Sequence, residues 1–322
     1  MKKPLFVSLL VLLMSGLGKA PPSLPVRAEP IFAIAQNESA TKPELELLDA
    51  GIAPRQKLRF SPVLDRRTEI LTMTMDMDMD MTVEGEGSRA IDMPPVEIEF
   101  QVEIEKVDSN GDIHANFSCS RTDVVAEADT PPRLVRKLQG EIEKMVGFRT
   151  SLVMDSQGRA KDINLIVPDS MDPNLRQMFE QTMNSLGEIS APMPEEAVGV
   201  GAKWRVSASP TLNGIKMNQT ATYEIASIEG DRIILDTSVE QDAEPQRITL
   251  PGLPPNATVN LESLDGSGRG QVTMDLNKIV PIAGNVSMDS NTRMLVQISE
   301  NGRADQKMLQ MNTSIDMTME SE

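Results

Sequence analysis

Met73, Met75, Met77, Met79 and Met81 alternate with Thr74, Asp76, Asp78, Asp80 and Thr82, so thioethers and carboxylates occupy opposite parities of one run. In an extended strand, residues two apart lie about 6.8 Å from each other on the same face. Thioether sulfur favours Cu(I), and the row can be read as part of a soft-metal site. Neighbours in one row stand too far apart to converge easily on one ion, so a second segment must contribute. Met311, Met317 and Met319 share one parity near the C-terminal end and could do so. The plainer reading needs no metal. Met fills irregular apolar space, and the row then forms a pliable core face or the lining of a groove for apolar ligands. The plainer reading is preferred, and no metal ligand is assigned.

Other reactive side chains are few. His114 is the only histidine and Cys119 the only cysteine. On a strand, Ile113, Ala115, Phe117 and Cys119 share one face, while His114, Asn116, Ser118 and Ser120 share the other. Neither a Cys-His pair nor a Ser-His-Asp triad can be built with Cys119 turned away from His114. A zinc site of the usual His/Cys type is excluded by counting. Asp108-Ser109-Asn110-Gly111-Asp112 begins like a calcium loop, but Ile113 and Cys119 stand where that pattern needs Gly and Glu. It reads as a hairpin turn. There is no glycine loop for phosphates and no Walker motif. Acidic residues are too many for any one carboxylate pair to stand out. The sequence assigns no catalytic or cofactor-binding residue, and the expectation is a non-enzymatic protein without a cofactor, with a carboxylate-dependent hydrolase as the enzymatic alternative.

The N-terminus carries an export pattern. Lys2 and Lys3 precede an apolar stretch over residues 5–17, and Val26-Arg27-Ala28 offers a cleavage site, with a second after Ala35. A stretch of 13 residues is too short to span a bilayer, so no membrane span is expected after cleavage. The expected location is exported, periplasmic or extracellular. Removal of Lys2, Lys3, Lys19 and Arg27 takes the net charge from −17 to −21, with 27 basic against 48 acidic residues. That field disfavours nucleic acid and anionic surfaces. A lone thiol cannot form an internal disulfide, so stability must come from the apolar core. One Trp, one Tyr and seven Phe against 22 Met leave few rigid rings for stacking sugars or bases. Six Asn-x-Ser/Thr sequons, at Asn37, Asn116, Asn218, Asn256, Asn285 and Asn312, read as chance in an Asn/Ser/Thr-rich surface.

The elements that position these groups are mainly strands. Val96, Ile98, Phe100, Val102 and Ile104 alternate with polar partners, which specifies one dry and one wet face. Asn110-Gly111 turns the chain back. Two segments instead have helical period. Residues 131–145, with Thr130 as N-cap and Pro131 at the first helical position, place Leu134, Leu138, Ile142 and Met145 on one stripe. Residues 173–186 align Leu175, Met178, Phe179, Met183 and Leu186. Each should lie on an apolar sheet face. Residues 244–255 read as a Pro-rich loop, and residues 29–56 as a flexible tether with one helical turn near 43–50.

The second half echoes the first. Leu58-Arg59-Phe60 is answered by Trp204-Arg205-Val206, the 105–113 turn by 227–233, Ser151-Leu152-Val153-Met154-Asp155 by Gln271-Val272-Thr273-Met274-Asp275, and Met79-Asp80-Met81-Thr82 by Asp316-Met317-Thr318-Met319. The shared order implies a duplicated β unit. The expected fold is mostly β: two related antiparallel halves forming curved sheets, with two amphipathic covering helices. The expected boundaries are a signal peptide over 1–28, the tether, a first β repeat over 57–167, a helical connector over 168–202 and a second repeat over 203–322.

Leu58-Arg59-Phe60, the Met-rich strand and Gly268-Arg269-Gly270-Gln271-Val272-Thr273-Met274-Asp275 together resemble a family of exported bacterial proteins known as a domain of unknown function. The resemblance covers about residues 57–319 and implies a β-rich, two-part exported protein with no catalytic residues to carry over. Leu276-Asn277-Lys278-Ile279 departs from it by lacking the turn glycine. The function expected from all this is an envelope protein that binds a lipid-like ligand or a protein partner, with a Met-rich copper-handling protein or a purely structural β module as alternatives.

Overall fold

The computed structural model describes residues 43–64, 68–126, 130–166, 192–212, 214–248, 257–300 and 303–322. The signal peptide and the helix expected over 173–186 lie outside the described residues.

The chain is mostly strand. In order come β1 (Glu44–Asp49), β2 (Thr68–Val83), β3 (Gly87–Val107), β4 (Ile113–Val124), β5 (Arg149–Met154) and β6 (Ala160–Ile166). Then follow β7 (Lys203–Ala208), β8 (Thr211–Leu212), β9 (Ile215–Lys216), β10 (Asn218–Glu229), β11 (Arg232–Ala243) and β12 (Gln246–Ile248). The last three are long: β13 (Ala257–Asp275), β14 (Ala283–Glu300) and β15 (Arg303–Ser321). One helix, α1 (Pro132–Ile142), sits between β4 and β5 and ends in a 3-10 turn, Glu143–Met145.

Thirteen strands join one antiparallel sheet in the order β1-β7-β10-β11-β13-β14-β15-β2-β3-β4-β5-β6, with β12 added beside β13. β8 and β9 pair with each other alone. The sheet is two meanders fused at a seam, where β15 pairs along β2 from Leu309 opposite Val83 to Ser321 opposite Leu71. The two halves are therefore continuous. Their sequence echoes do not all occupy like places: Trp204-Arg205-Val206 lies in β7, whereas Leu58-Arg59-Phe60 is irregular chain.

Local chemistry accounts for the elements. Val96, Ile98, Phe100, Val102 and Ile104 are all buried, as their alternation requires. Gly111 closes the β3–β4 hairpin at φ +85°, a conformation that suits glycine. α1 buries Leu138 and Ile142, and the turn after it buries Met145. Pro131, in extended conformation, is the N-cap instead of Thr130, so the helix starts one residue later than expected. The Gln139 side chain anchors the helix: Val124 N donates to its oxygen at 3.0 Å and its nitrogen donates to Thr122 O at 3.2 Å. Residues 44–49 are a strand and not a helical turn, because Leu45 and Leu47 alternate with Glu44 and Glu46 and β7 offers an edge to pair with. Within the expected 244–255 loop, β12 forms a three-residue strand.

The dry face of the sheet is sealed at one end by its own chain. Leu58 (0%) and Phe60 (4%) lie in an extended segment that crosses it. Phe60 N donates to Ser156 O at 2.7 Å and Ser61 N to Leu276 O at 2.8 Å, so this segment ties the β5–β6 turn to the end of β13. A smaller second core gathers Met217, Ala243, Ile248, Val259, Leu261 and Leu264.

Candidate functional site

Strand parity places the methionine row on the dry face, where its surroundings change along β2. Met73, Met75 and Met77 are 0%, 1% and 3% exposed, while Met79 and Met81 are half-buried. β15 follows the same gradient: Ile315, Met317 and Met319 are buried, and Met311 and Thr313 are half-buried. Val286, Met288 and Ser290 of β14 and Thr237, Val239 and Gln241 of β11 are half-buried too. The face thus passes from a sealed core into a partly open strip.

Register lines these residues up across the sheet. Val239, Gly268, Met288, Ile315, Met77 and Met93 form one row through β11, β13, β14, β15, β2 and β3. The next row runs Gln241, Gly266, Ser290, Thr313, Met79, Ile91, and the next again Ala243, Leu264, Thr292, Met311, Met81, Arg89. Met317 stands opposite Met75 and Met319 opposite Met73. The strand beside the methionine row is therefore the C-terminal one.

Three glycines of one parity, Gly266, Gly268 and Gly270, face the strip from β13. A Cβ on Gly270 would collide with the Asn285 carbonyl oxygen, and one on Gly268 would lie 2.9 Å from Ser287 O. A Cβ on Gly266 would meet nothing nearer than 3.4 Å. The β14 backbone therefore folds over the dry side of β13 at Gly268 and Gly270, and only glycine permits that approach. Sequence reasoning passed over these residues as a site feature. Their signal is the period-two Gly-x-Gly-x-Gly itself.

The wet face is acidic. Two open depressions, of about 730 and 790 Å³, run across it. The second is lined by Asp78, Asp80, Glu240, Asp242, Asp265 and Asp289 along with uncharged polar residues. Ser287 donates to Asp316, Ser314 to Asp289 and Asn291 to Asn312, so part of the ladder is satisfied from strand to strand. Partial burial and then the neighbouring Asp78 push the Asp76 carboxyl above its ordinary range, with Asp316 adding to the effect. Among the described residues, no group of three or more His, Cys, Asp or Glu is placed to hold a metal.

The remaining reactive groups are occupied structurally. Burial pushes the Cys119 thiol up to about 12, so it is not a thiolate nucleophile at neutral pH. His114 Nε2 lies 2.7 Å from Asp108 Oδ2, which makes it a partly buried brace of the β3–β4 turn. Lys106, and then His114, hold Asp108 below the usual carboxylate range. Lys161 bonds both oxygens of Asp112, at 2.6 and 2.8 Å, and clamps the same turn to β6. Trp204 stacks on Tyr223 in the core with ring centroids 5.5 Å apart.

No family model matches the chain, and no curated protein matches it. Among solved structures, lipovitellin is 9% identical over 82% of this chain, with a TM-score of 0.37. The chain spans 25% of that protein's length. The outer membrane protease OmpT from Escherichia coli is 9% identical over 83% of this chain and 98% of its own, with a TM-score of 0.23. A variant of the Rh. blastica porin is 7% identical over 77% of this chain and 99% of its own, with a TM-score of 0.18. Scores this low do not establish a shared fold.

Proposed function

We propose that this is a non-enzymatic exported envelope protein that holds the aliphatic chain of a lipid-like molecule on the open strip of its dry face. One observation carries the reading: beyond the sealed core the dry face stays half-exposed through Met79, Met81, Val239, Val286, Met288 and Met311, with Gln241, Ser290 and Thr313 between them. Flexible thioethers suit a ligand without fixed shape, and among the described residues the strip offers no aromatic ring that would select a planar one. At ~25 cal/mol per Å², covering about 200 Å² of such surface contributes roughly 5 kcal/mol before the costs of association.

Export belongs to the same proposal and is supported by Lys2, Lys3, the apolar stretch and Ala28. So does membership of the uncharacterised exported family that the sequence resembles. The reading of the meanders as copies of one plan is supported by the β3–β4 and β10–β11 hairpins, which carry corresponding sequence echoes.

The test is titration with a fluorescent long-chain fatty acid. Saturable binding is expected, weakened by Met288→Glu and unchanged by Met75→Leu in the sealed core. Absence of saturable binding, together with native mass spectra of protein from its own host that show no bound lipid, would overturn the proposal.

A further inference from the structure

We propose a thioether site for Cu(I) formed by Met79 and Met81 of β2 with Met311 of β15. A single row of methionines fails as a site because its members are about 6.8 Å apart and parallel. Register removes that objection. Met311 is the direct cross-strand partner of Met81, which sets their Cβ atoms about 4.5–5.5 Å apart, with Met79 on the diagonal at about 7–8 Å. The bonds between Cβ and sulfur rotate freely enough for three thioethers to meet over the gap between the strands.

Access selects this trio from the other methionine pairs. Met75 with Met317 and Met73 with Met319 have the same register, but all four are at most 2% exposed and packed in the main core. Met79, Met81 and Met311 are half-buried at the open end, where an ion can arrive from solvent.

The donor set decides the ion. Asp78, Asp80 and Asn312 occupy the opposite parity and face the wet side, so no carboxylate of β2 or β15 within four residues of the trio shares its face. Three neutral thioethers do not suit Ca²⁺ or Mg²⁺, which demand oxygen, and soft monovalent copper is the ion such donors favour. The bound charge faces one nearby cation, the exposed Arg89 opposite Met81; Lys307, farther along β15, is paired with Glu86. The chain as a whole carries −17, which draws cations in.

The experiment uses the whole protein without oxygen, competing for Cu(I) against a chromophoric chelator, with Ag(I) as a redox-inert second probe. One equivalent of each ion is expected. Met81→Leu and Met311→Leu should each weaken binding by roughly ten-fold or more, and Met75→Leu should leave it unchanged. On adding Ag(I), the methyl resonances of Met79, Met81 and Met311 should shift while that of Met75 stays in place. Failure of the wild-type protein to compete, or unchanged affinity in both Met81→Leu and Met311→Leu, would overturn the site. Leucine preserves the apolar strip, so fatty-acid binding by these variants reads the acyl proposal separately.

Discussion

Met75 and Met81 are six residues apart on one strand, face the same way and have methionine partners in the same neighbouring strand, yet they live in different environments. Met75 is sealed in the main core; Met81 is half-buried outside it. Alternation alone builds both, so a strand's parity settles which face is dry and says nothing about how dry. That second property depends on what covers the face: Leu58 and Phe60 do so at one end, and at the other the second core takes in Ala243 and Leu264 of β11 and β13 but not Met79, Met81 or Met311.

The largest expected effect separates these two positions directly. Met75→Ala should cost about 2–5 kcal/mol in urea unfolding, whereas Met81→Ala should cost about 1 kcal/mol or less. Equal losses would erase the distinction between sealed and open ends. Next comes the floor of the strip. Gly270→Ala forces a Cβ against the Asn285 carbonyl and should destabilise by about 1–3 kcal/mol, while Gly266→Ala should stay within about 0.5 kcal/mol. Similar midpoints for the two would show that β14 does not fold over β13 as described.

Chemical access gives a finer measure. With dilute hydrogen peroxide and peptide mass spectrometry, Met79, Met81, Met288 and Met311 should become sulfoxides well before Met73, Met75, Met317 and Met319. A uniform rate would contradict the gradient of burial.

The smallest effect lies on the reverse side, at Asp76. Its carboxyl holds a proton more tightly in the folded chain than in the unfolded one, so its contribution to stability is present below about pH 3.8 and is lost as pH rises past its folded value. Asp76→Asn should therefore raise the neutral-pH midpoint slightly, by less than about 1 kcal/mol, with the gain shrinking in salt and vanishing in acid. A loss at neutral pH would show that Asp76 has a stabilising partner that outweighs Asp78 and Asp316.

Much of the sheet was legible because period-two patterns survive in the sequence. Val96 to Ile104, the Asn110-Gly111 turn and the face shared by the methionines follow from local alternation and turn chemistry. Residues 44–49 were misread because a short Leu/Glu alternation after a Pro-rich stretch becomes a strand only when β7 supplies its partner. The pairing of Met311 with Met81 was beyond local reading, since register between distant strands is set by the whole sheet. The open strip was hidden for the same reason: exposure is a property of the covering segments.

The seam between β15 and β2 also fixes an order of events. Its ladder joins residues as far apart as Leu71 and Ser321, separated by 250 positions, and it lies in the middle of the sheet, not at its margin. Each meander can zip up between neighbours as soon as its own hairpins exist, but the join waits for Arg303–Ser321. Closing so long a loop is slow, so until then the protein is two sheets with raw inner edges, each able to pair with a stranger. The centre of this molecule is the last of it to be made.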